Sequence, residues 1–441
     1  DAQQVEQDDE EHEAQRGFTV GHARHRRAAS AARPSRSGIA GGLALAPTPR
    51  WPARRDGRRL PASRMAEPFK HRIDAAMARL LATRLAAVLP GFPARRFERA
   101  CVDGLGPLAL KQRVARFAEA LAATLPADFA AACAALEATL APARRDEDLA
   151  ALVPGPDGLA GWVCWPMADF VAQRGLAQPD RALAALHALT QRFTAEFALR
   201  PFLVAHETLT LRTLARWVTD PSPHVRRLVS EGSRPRLPWG MALPRLCADP
   251  SPTLPLLRAL QDDASGYVRR SVANHLNDIA KDHPDVVVDW LAAHLPDAPP
   301  ARRALLHRAS RTLVKRGHRG ALAAWGVDAP FRGAVAFAVA PQRVVIGGAM
   351  DLQVELRAAA GGGPQRLVVD YVVRRDGSAS KQPKVWKGWT VELAAGAALP
   401  LRKRHSWRPT TVRVDRPGRH VVELRINGAA VAHAAFTLRA R

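Results

Sequence analysis

The residues best equipped for chemistry lie between positions 192 and 285. Glu196 sits in RFTAEFALRPFL (192–203), Glu231 in DPSPHVRRLVSEGSRPRLPWG (220–240) and Asp278 in YVRRSVANHLNDIAKDHPD (267–285). Carboxylates of this kind can stabilise a developing cation or take a proton from an attacking water. Asp220, Pro221 and Ser222 are suited to start a helix, and Gly232 to end it. That places Glu231 in a last turn, where the helix dipole disfavours an anion by up to ~1 kcal/mol. Arg226 and Arg227, one turn earlier, can offset this, so an ordinary surface pair explains the residue as well as a site does. Glu196 has Arg200 at the favourable i,i+4 spacing, worth a few tenths of a kcal/mol. Its neighbours Phe193, Phe197 and Phe202 imply burial, and a buried carboxylate needs a structural or catalytic reason. Ser271, Asn274 and Asp278 form a polar row opposite Val268, Val272 and Ile279, either a solvated face or a lined groove. Trp239 stands in a stiff Pro-Trp-Gly turn after Arg234, Pro235 and Arg236. There it can stack on a base or a cation, or plug a gap between helices.

These residues need a scaffold, and the sequence repeats one. Asp220 precedes Val225, Arg226 and Arg227 as Asp263 precedes Val268, Arg269 and Arg270, 43 residues later, and a weaker copy joins Asp297 to Arg302 and Arg303. That period fits stacked helical pairs of the HEAT type, a solenoid in which equivalent positions line one face. From Phe69 to about Trp325 the apolar spacing is helical, as in Leu108, Leu110, Val114, Phe117 and Leu121, and Asp180 is a candidate N-cap. Breaks fall at short proline turns such as Leu125-Pro126, Asp249-Pro250, His283-Pro284 and Pro299-Pro300.

Near Pro330 the pattern changes to alternation: 352–356, 366–373, 389–393, 420–426 and 434–440 read as short strands separated by glycine and proline turns. The predicted class is therefore multidomain, an all-α HEAT-like repeat solenoid followed by an all-β immunoglobulin-like sandwich. The basic runs Arg374-Arg375, Lys381 to Lys387 and Arg402 to Arg404 are expected at turns and loop edges. Residues 1–64 mix an acidic cluster with Arg, Ala, Ser and Pro and are expected to be a disordered extension, with Met65 the expected natural start. The expected units are 1–64, a catalytic helical domain at 65–328 and a DNA-binding sandwich at 329–441.

The chain carries 65 Lys and Arg against 41 Asp and Glu, a net charge of +24. About +12 of it falls in residues 331–441. Such a field favours a polyanion, nucleic acid before membrane, and the preference for Arg over Lys suits bidentate phosphate contacts. Part of the Arg excess is also what a GC-rich genome produces. The four cysteines are widely spaced and read as buried apolar residues, and no apolar run reaches the ~18 residues of a membrane span. There is no phosphate-cradling glycine loop, G-x-S-x-G elbow or H-E-x-x-H. No metal and no cofactor is expected.

The three quoted segments resemble the AlkC branch of the AlkC/AlkD DNA alkylation repair glycosylases, over about Met65 to Trp325. Some AlkC-type proteins also carry a terminal immunoglobulin-like domain. The resemblance implies hydrolysis of the N-glycosidic bond of cationic alkylated bases (3-methyladenine, 3-methylcytosine) in duplex DNA, without a deep base-flipping pocket. It implies Glu196, Glu231 and Asp278 as catalytic carboxylates, Trp239 as the aromatic beside the sugar or base, and Arg227, Arg234 and Arg236 as phosphate contacts. Arg269 and Arg270 are expected on the same DNA-binding surface. The expected partner is double-stranded DNA containing alkylated bases, with no membrane, for a monomer in the bacterial cytoplasm at the nucleoid. The rival expectation is a non-catalytic basic HEAT scaffold that binds nucleic acid or an acidic protein.

Overall fold

The computed structural model describes residues 69–143, 147–375, 384–409 and 416–440; the extension at 1–64 and Lys381 lie outside them. Sixteen α-helices precede eight strands among the described residues. α1 (Ala75–Val88), α2 (Ala94–Val102), α3 (Leu110–Thr124) and α4 (Phe129–Ala138) form the first group. α5 (Cys164–Arg174), α6 (Pro179–Thr190), α7 (Glu196–Ala205) and α8 (Glu207–Trp217) follow. The repeat region holds α9 (Pro223–Gly232), α10 (Pro244–Ala248), α11 (Leu254–Leu260), α12 (Gly266–Asp282) and α13 (Pro284–His294). α14 (Pro300–Ala309), α15 (Arg311–Arg316) and α16 (Arg319–Ala324) close it.

Local chemistry explains the starts. The Asp74 and Asp128 carboxylates and the Ser265 hydroxyl cap α1, α4 and α12. Prolines 179, 223, 244, 284 and 300 occupy first helical positions, where the missing N–H costs nothing. Asp180 is therefore not a cap: it lies inside α6, after Pro179, and the N-cap position belongs to Gln178.

The repeated Asp-Arg signature is structural. Asp220 and Asp263 each accept a bond at 2.8 Å from the backbone N–H two residues on, tightening the turn that feeds α9 or α12. Arg226 then reaches across the repeat to Asp263 with two bonds, 2.6 and 3.0 Å. Arg302 does the same to Asp262. α7, α9, α12 and α14 pack side by side in one layer, backed by α8, α11 and α13. One apolar core, from Ile73 to Val327, runs through all the repeats. No single described helix is long and apolar enough to cross a membrane.

The C-terminal unit is a two-sheet sandwich. One sheet has the order β1 (Gly333–Ala340), β3 (Ala349–Ala358), β6 (Ala398–Ser406). The other has β2 (Arg343–Val345), β8 (Ala429–Arg439), β7 (Gly418–Ile426), β4 (Gln365–Arg375), β5 (Val385–Leu393). Alternate residues of both sheets, including Leu352, Leu356, Val369, Val422 and Leu424, fill the space between them. Arg402 to Arg404 correct the loop expectation: they lie inside β6. Arg374 and Lys387 likewise belong to β4 and β5. The two units meet at backbone level, where a Cβ on Gly428 would lie 2.6 Å from the Gly317 Cα.

Candidate active site

Folding brings Glu196, Glu231 and Asp278 into one cluster. Glu196 opens α7, Glu231 lies in the last turn of α9, and Asp278 faces them from α12. Between them stand two arginines. Arg227 Nη1 donates to Glu196 Oε2 at 2.6 Å, and its Nη2 lies 3.7 Å from Glu231 Oε1. Arg234 Nη1 donates to Glu231 Oε1 at 2.8 Å while its Nε donates to Asp278 Oδ2 at 2.7 Å. Lys281 Nζ is 3.5 Å from Asp278 Oδ1. The result is a ladder of alternating sign: Glu196, Arg227, Glu231, Arg234, Asp278, Lys281.

All three carboxylates are buried, with Asp278 at 0% and Glu231 at 6% exposure. Burial alone pushes the Glu231 carboxyl up. Arg234, Arg227 and the Ser271 hydroxyl outweigh it and bring the group down to about 2. Glu231 is thus a fixed anion and a weak proton acceptor, suited to facing positive charge. Ser271 Oγ donates to Glu231 Oε2 at 2.5 Å and accepts from Ser230 Oγ at 2.6 Å. Arg227 also lies over the Tyr267 ring, 5.0 Å from its centroid. Asp278 Oδ1 accepts no hydrogen bond from the described residues.

Arg200 corrects the expectation of an i,i+4 pair with Glu196. Its buried guanidinium instead donates to four carbonyls of one loop: Gly232, Arg234, Pro235 and Met241. Burial, with Arg234 nearby, lowers its pKa to about 10. This clamp fixes the segment carrying Arg234, Arg236 and Trp239. Trp239 adopts a left-handed φ of 63°, a conformation that a non-glycine residue holds only when its surroundings impose it. Lys111, from the start of α3, donates to the Trp239 carbonyl. Trp239 is half-buried and packs on the helical core, so it serves the gap between helices and still shows a face.

The arginines assigned to phosphate divide. Arg227 and Arg234 turn inward, because each is consumed by carboxylates. Arg269 closes its own turn, donating to the Asp263 and Ala264 carbonyls. Arg236 forms a two-bond pair with Asp282, both at 2.9 Å, at a partly exposed position. Arg270 is exposed. Gly232 is needed for contact, since a Cβ there would come within 2.4 Å of Leu199 Cδ2 on α7. It is the last residue of α9 and has no left-handed φ.

Sequence reasoning missed Asp169 and Lys111, and gave Arg200 to Glu196 instead of the loop carbonyls it holds. Asp169, half-buried on α5, is hydrogen-bonded to Gln173 at 2.9 Å. Burial raises its pKa, while Gln173 and Lys111 oppose the rise. Its sequence neighbourhood carries no signal, because Lys111 comes from a helix far away in the chain. Cys101, Cys133 and Cys164 are buried and Cys247 is half-buried. No group of metal-ligating side chains occurs among the described residues.

A family model described as the C-terminal Ig-like domain of the uncharacterised protein YhaZ matches residues 334–440. The chain is 34% identical over 346 residues to the uncharacterised protein YhaZ of Bacillus subtilis, covering 77% of this chain and 90% of that one. Among solved structures it is similar to the alkylpurine DNA glycosylase AlkC of Pseudomonas fluorescens bound to DNA containing an abasic site analogue. That similarity has a TM-score of 0.76 and 34% identity, over 85% of this chain and 100% of the other.

Proposed function

The chain belongs to the AlkC branch of the AlkC/AlkD family of HEAT-like repeat DNA alkylation repair glycosylases, and we propose that it hydrolyses the N-glycosidic bond of cationic alkylated bases in duplex DNA. The observation that carries this reading is Glu231, a buried carboxylate kept ionised at the edge of the Trp239 loop.

A base bearing a positive charge is already a good leaving group. When the C1′–N bond breaks, the electron pair leaves with the base and a cation develops at the sugar. No strong acid is required. An anion that is ionised before the substrate arrives lowers the energy of that cation without reorganisation. Glu231 fills this role, and Glu196, at the start of α7, adds a second anion through Arg227. Asp278, fully buried, holds Arg234 in place through Oδ2 and faces Lys281 with Oδ1. The face of Trp239 offers a cation-π contact of ~1–2 kcal/mol that favours the charged lesion over a neutral base. Arg236 and Arg270 are the expected phosphate contacts, and 3-methyladenine and 3-methylcytosine fit as substrates because both carry the needed charge.

The test is release of free base from methylated duplex DNA by the parent chain and by Glu231→Gln. Release by the parent, lost in the variant while DNA affinity stays within a few fold, is the expected result. Salt-sensitive DNA binding by both without release would replace the enzyme with a scaffold.

A further inference from the structure

Ser271 and Ser230 lie on different helices, yet their hydroxyls are 2.6 Å apart, and Ser271 Oγ is 2.5 Å from Glu231 Oε2. All three residues are buried. The pair is held from behind. His275 Nδ1 is 2.9 Å from the Ser230 carbonyl, and its Nε2 is 3.4 Å from Thr253 Oγ1. Burial drives the His275 pKa down to about 4, so the ring is neutral at pH 7 and Nδ1–H donates to that carbonyl. The Ser230 hydroxyl has two acceptors in reach, the Arg227 carbonyl at 3.2 Å and Ser271 Oγ at the shorter 2.6 Å. An ionised Glu231 Oε2 can only accept, so Ser271 points its own proton at it. The two arginines take Oε1, whereas Oε2 has Ser271 as its donor.

We infer that Ser271, oriented by Ser230, is a positioning residue that fixes the direction and the ionised state of Glu231 towards the sugar cation. The inference rests on the glycosylase reading, because it needs Glu231 to face developing positive charge. Arg234 and Arg227 alone would leave the carboxylate free to turn about its last bond. The hydroxyl removes that freedom, and a hydrogen bond to a charged acceptor strengthens the anionic form.

The experiment compares binding of two duplexes by the full chain. One holds a neutral tetrahydrofuran abasic analogue, the other a cationic pyrrolidine analogue at the same position. The ratio of their dissociation constants reads the field of Glu231 without turnover. The parent should prefer the cation. Ser271→Ala should lower that preference about tenfold, with the neutral duplex bound as before, and Ser271→Thr should restore much of it by returning the hydroxyl. In the Glu231→Gln background, Ser271→Ala should change nothing further, since it acts through that carboxylate. Ser230→Ala, which leaves the Ser271 oxygen in place, should show a smaller loss of the same kind. An unchanged preference in folded Ser271→Ala, or an equal loss in both backgrounds, would overturn the relay while leaving the glycosylase reading intact. A parent that does not distinguish the cation from the neutral analogue would overturn both.

Discussion

Substituting Glu231 by Gln should cost the fold more than an active-site change usually does. Gln has the shape of a protonated Glu, so the variant resembles the parent with that carboxyl neutralised. The fall of the Glu231 pKa from the ordinary 4.5 to about 2 corresponds, at about 1.4 kcal/mol per pH unit, to about 3 kcal/mol of stability. The carboxyl is almost fully enclosed, so solvent screening takes little from this figure. A similar size is expected for breaking a buried pair and leaving Arg234 and Arg227 undercompensated. The direction with pH follows from the depressed pKa. The contribution is complete above the unfolded value near 4.5 and disappears as pH falls towards 2. Urea denaturation of parent and Glu231→Gln should therefore differ by about 3 kcal/mol at pH 7.5, and the gap should narrow as the pH drops below 4.5. Equal stability at pH 7.5, or a more stable variant, would show that Glu231 is a strained anion held against the fold and would refute the ladder as described.

Other substitutions separate packing from surface roles. Gly232→Ala pushes a methyl group into Leu199, so it should cost about 1–3 kcal/mol in thermal or urea unfolding and, by moving α9 from α7, reduce base release. Arg200→Met removes the donors to four loop carbonyls; destabilisation of about 3 kcal/mol is expected, with faster hydrogen exchange over residues 232–243 than in the parent. Arg236→Ala should change stability by less than about 1 kcal/mol, because its pair with Asp282 is partly exposed, and should reduce the salt slope of DNA binding by about 1.

Much of this arrangement was legible in the sequence because it rests on local rules. The 43-residue return of the Asp and Arg signature marked the stacked helices, and proline at helix starts marked their joints. Alternation marked five of the eight strands. β6 escaped because Arg402, Lys403 and Arg404 read as a charged loop, whereas in this edge strand Arg402 and Arg404 share the exposed face and the half-buried Lys403 is held by the Lys387 and Gly388 carbonyls of β5. The carboxylates were legible as oddities, a Glu at the wrong end of a helix and an Asp on a polar row. Of their partners, Arg227 was legible one turn before Glu231. The rest of the surroundings was not: Arg234 comes from a loop, Lys111 reaches the Trp239 carbonyl from a helix over a hundred residues away, and Arg200, with a nearer claimant in Glu196, goes to loop carbonyls. Side chains this long reach several residues in space, and sequence spacing does not choose among them. Arg227 and Arg234, expected as phosphate contacts, are found on carboxylates for that reason.

The sign-alternating ladder has a bearing on how a polyanion meets the protein. Three anions and three cations in a row leave no net monopole, so their combined field dies away much faster than that of a single ion. At a distance, a phosphate backbone senses only the surplus of +24 spread over the whole chain. Even that is damped beyond a Debye length of about 8–10 Å. Only a group lying against the row can sense individual members of it. Long-range attraction of a polyanion therefore comes from the general surplus, and the individual carboxylates of the row act only at contact distance.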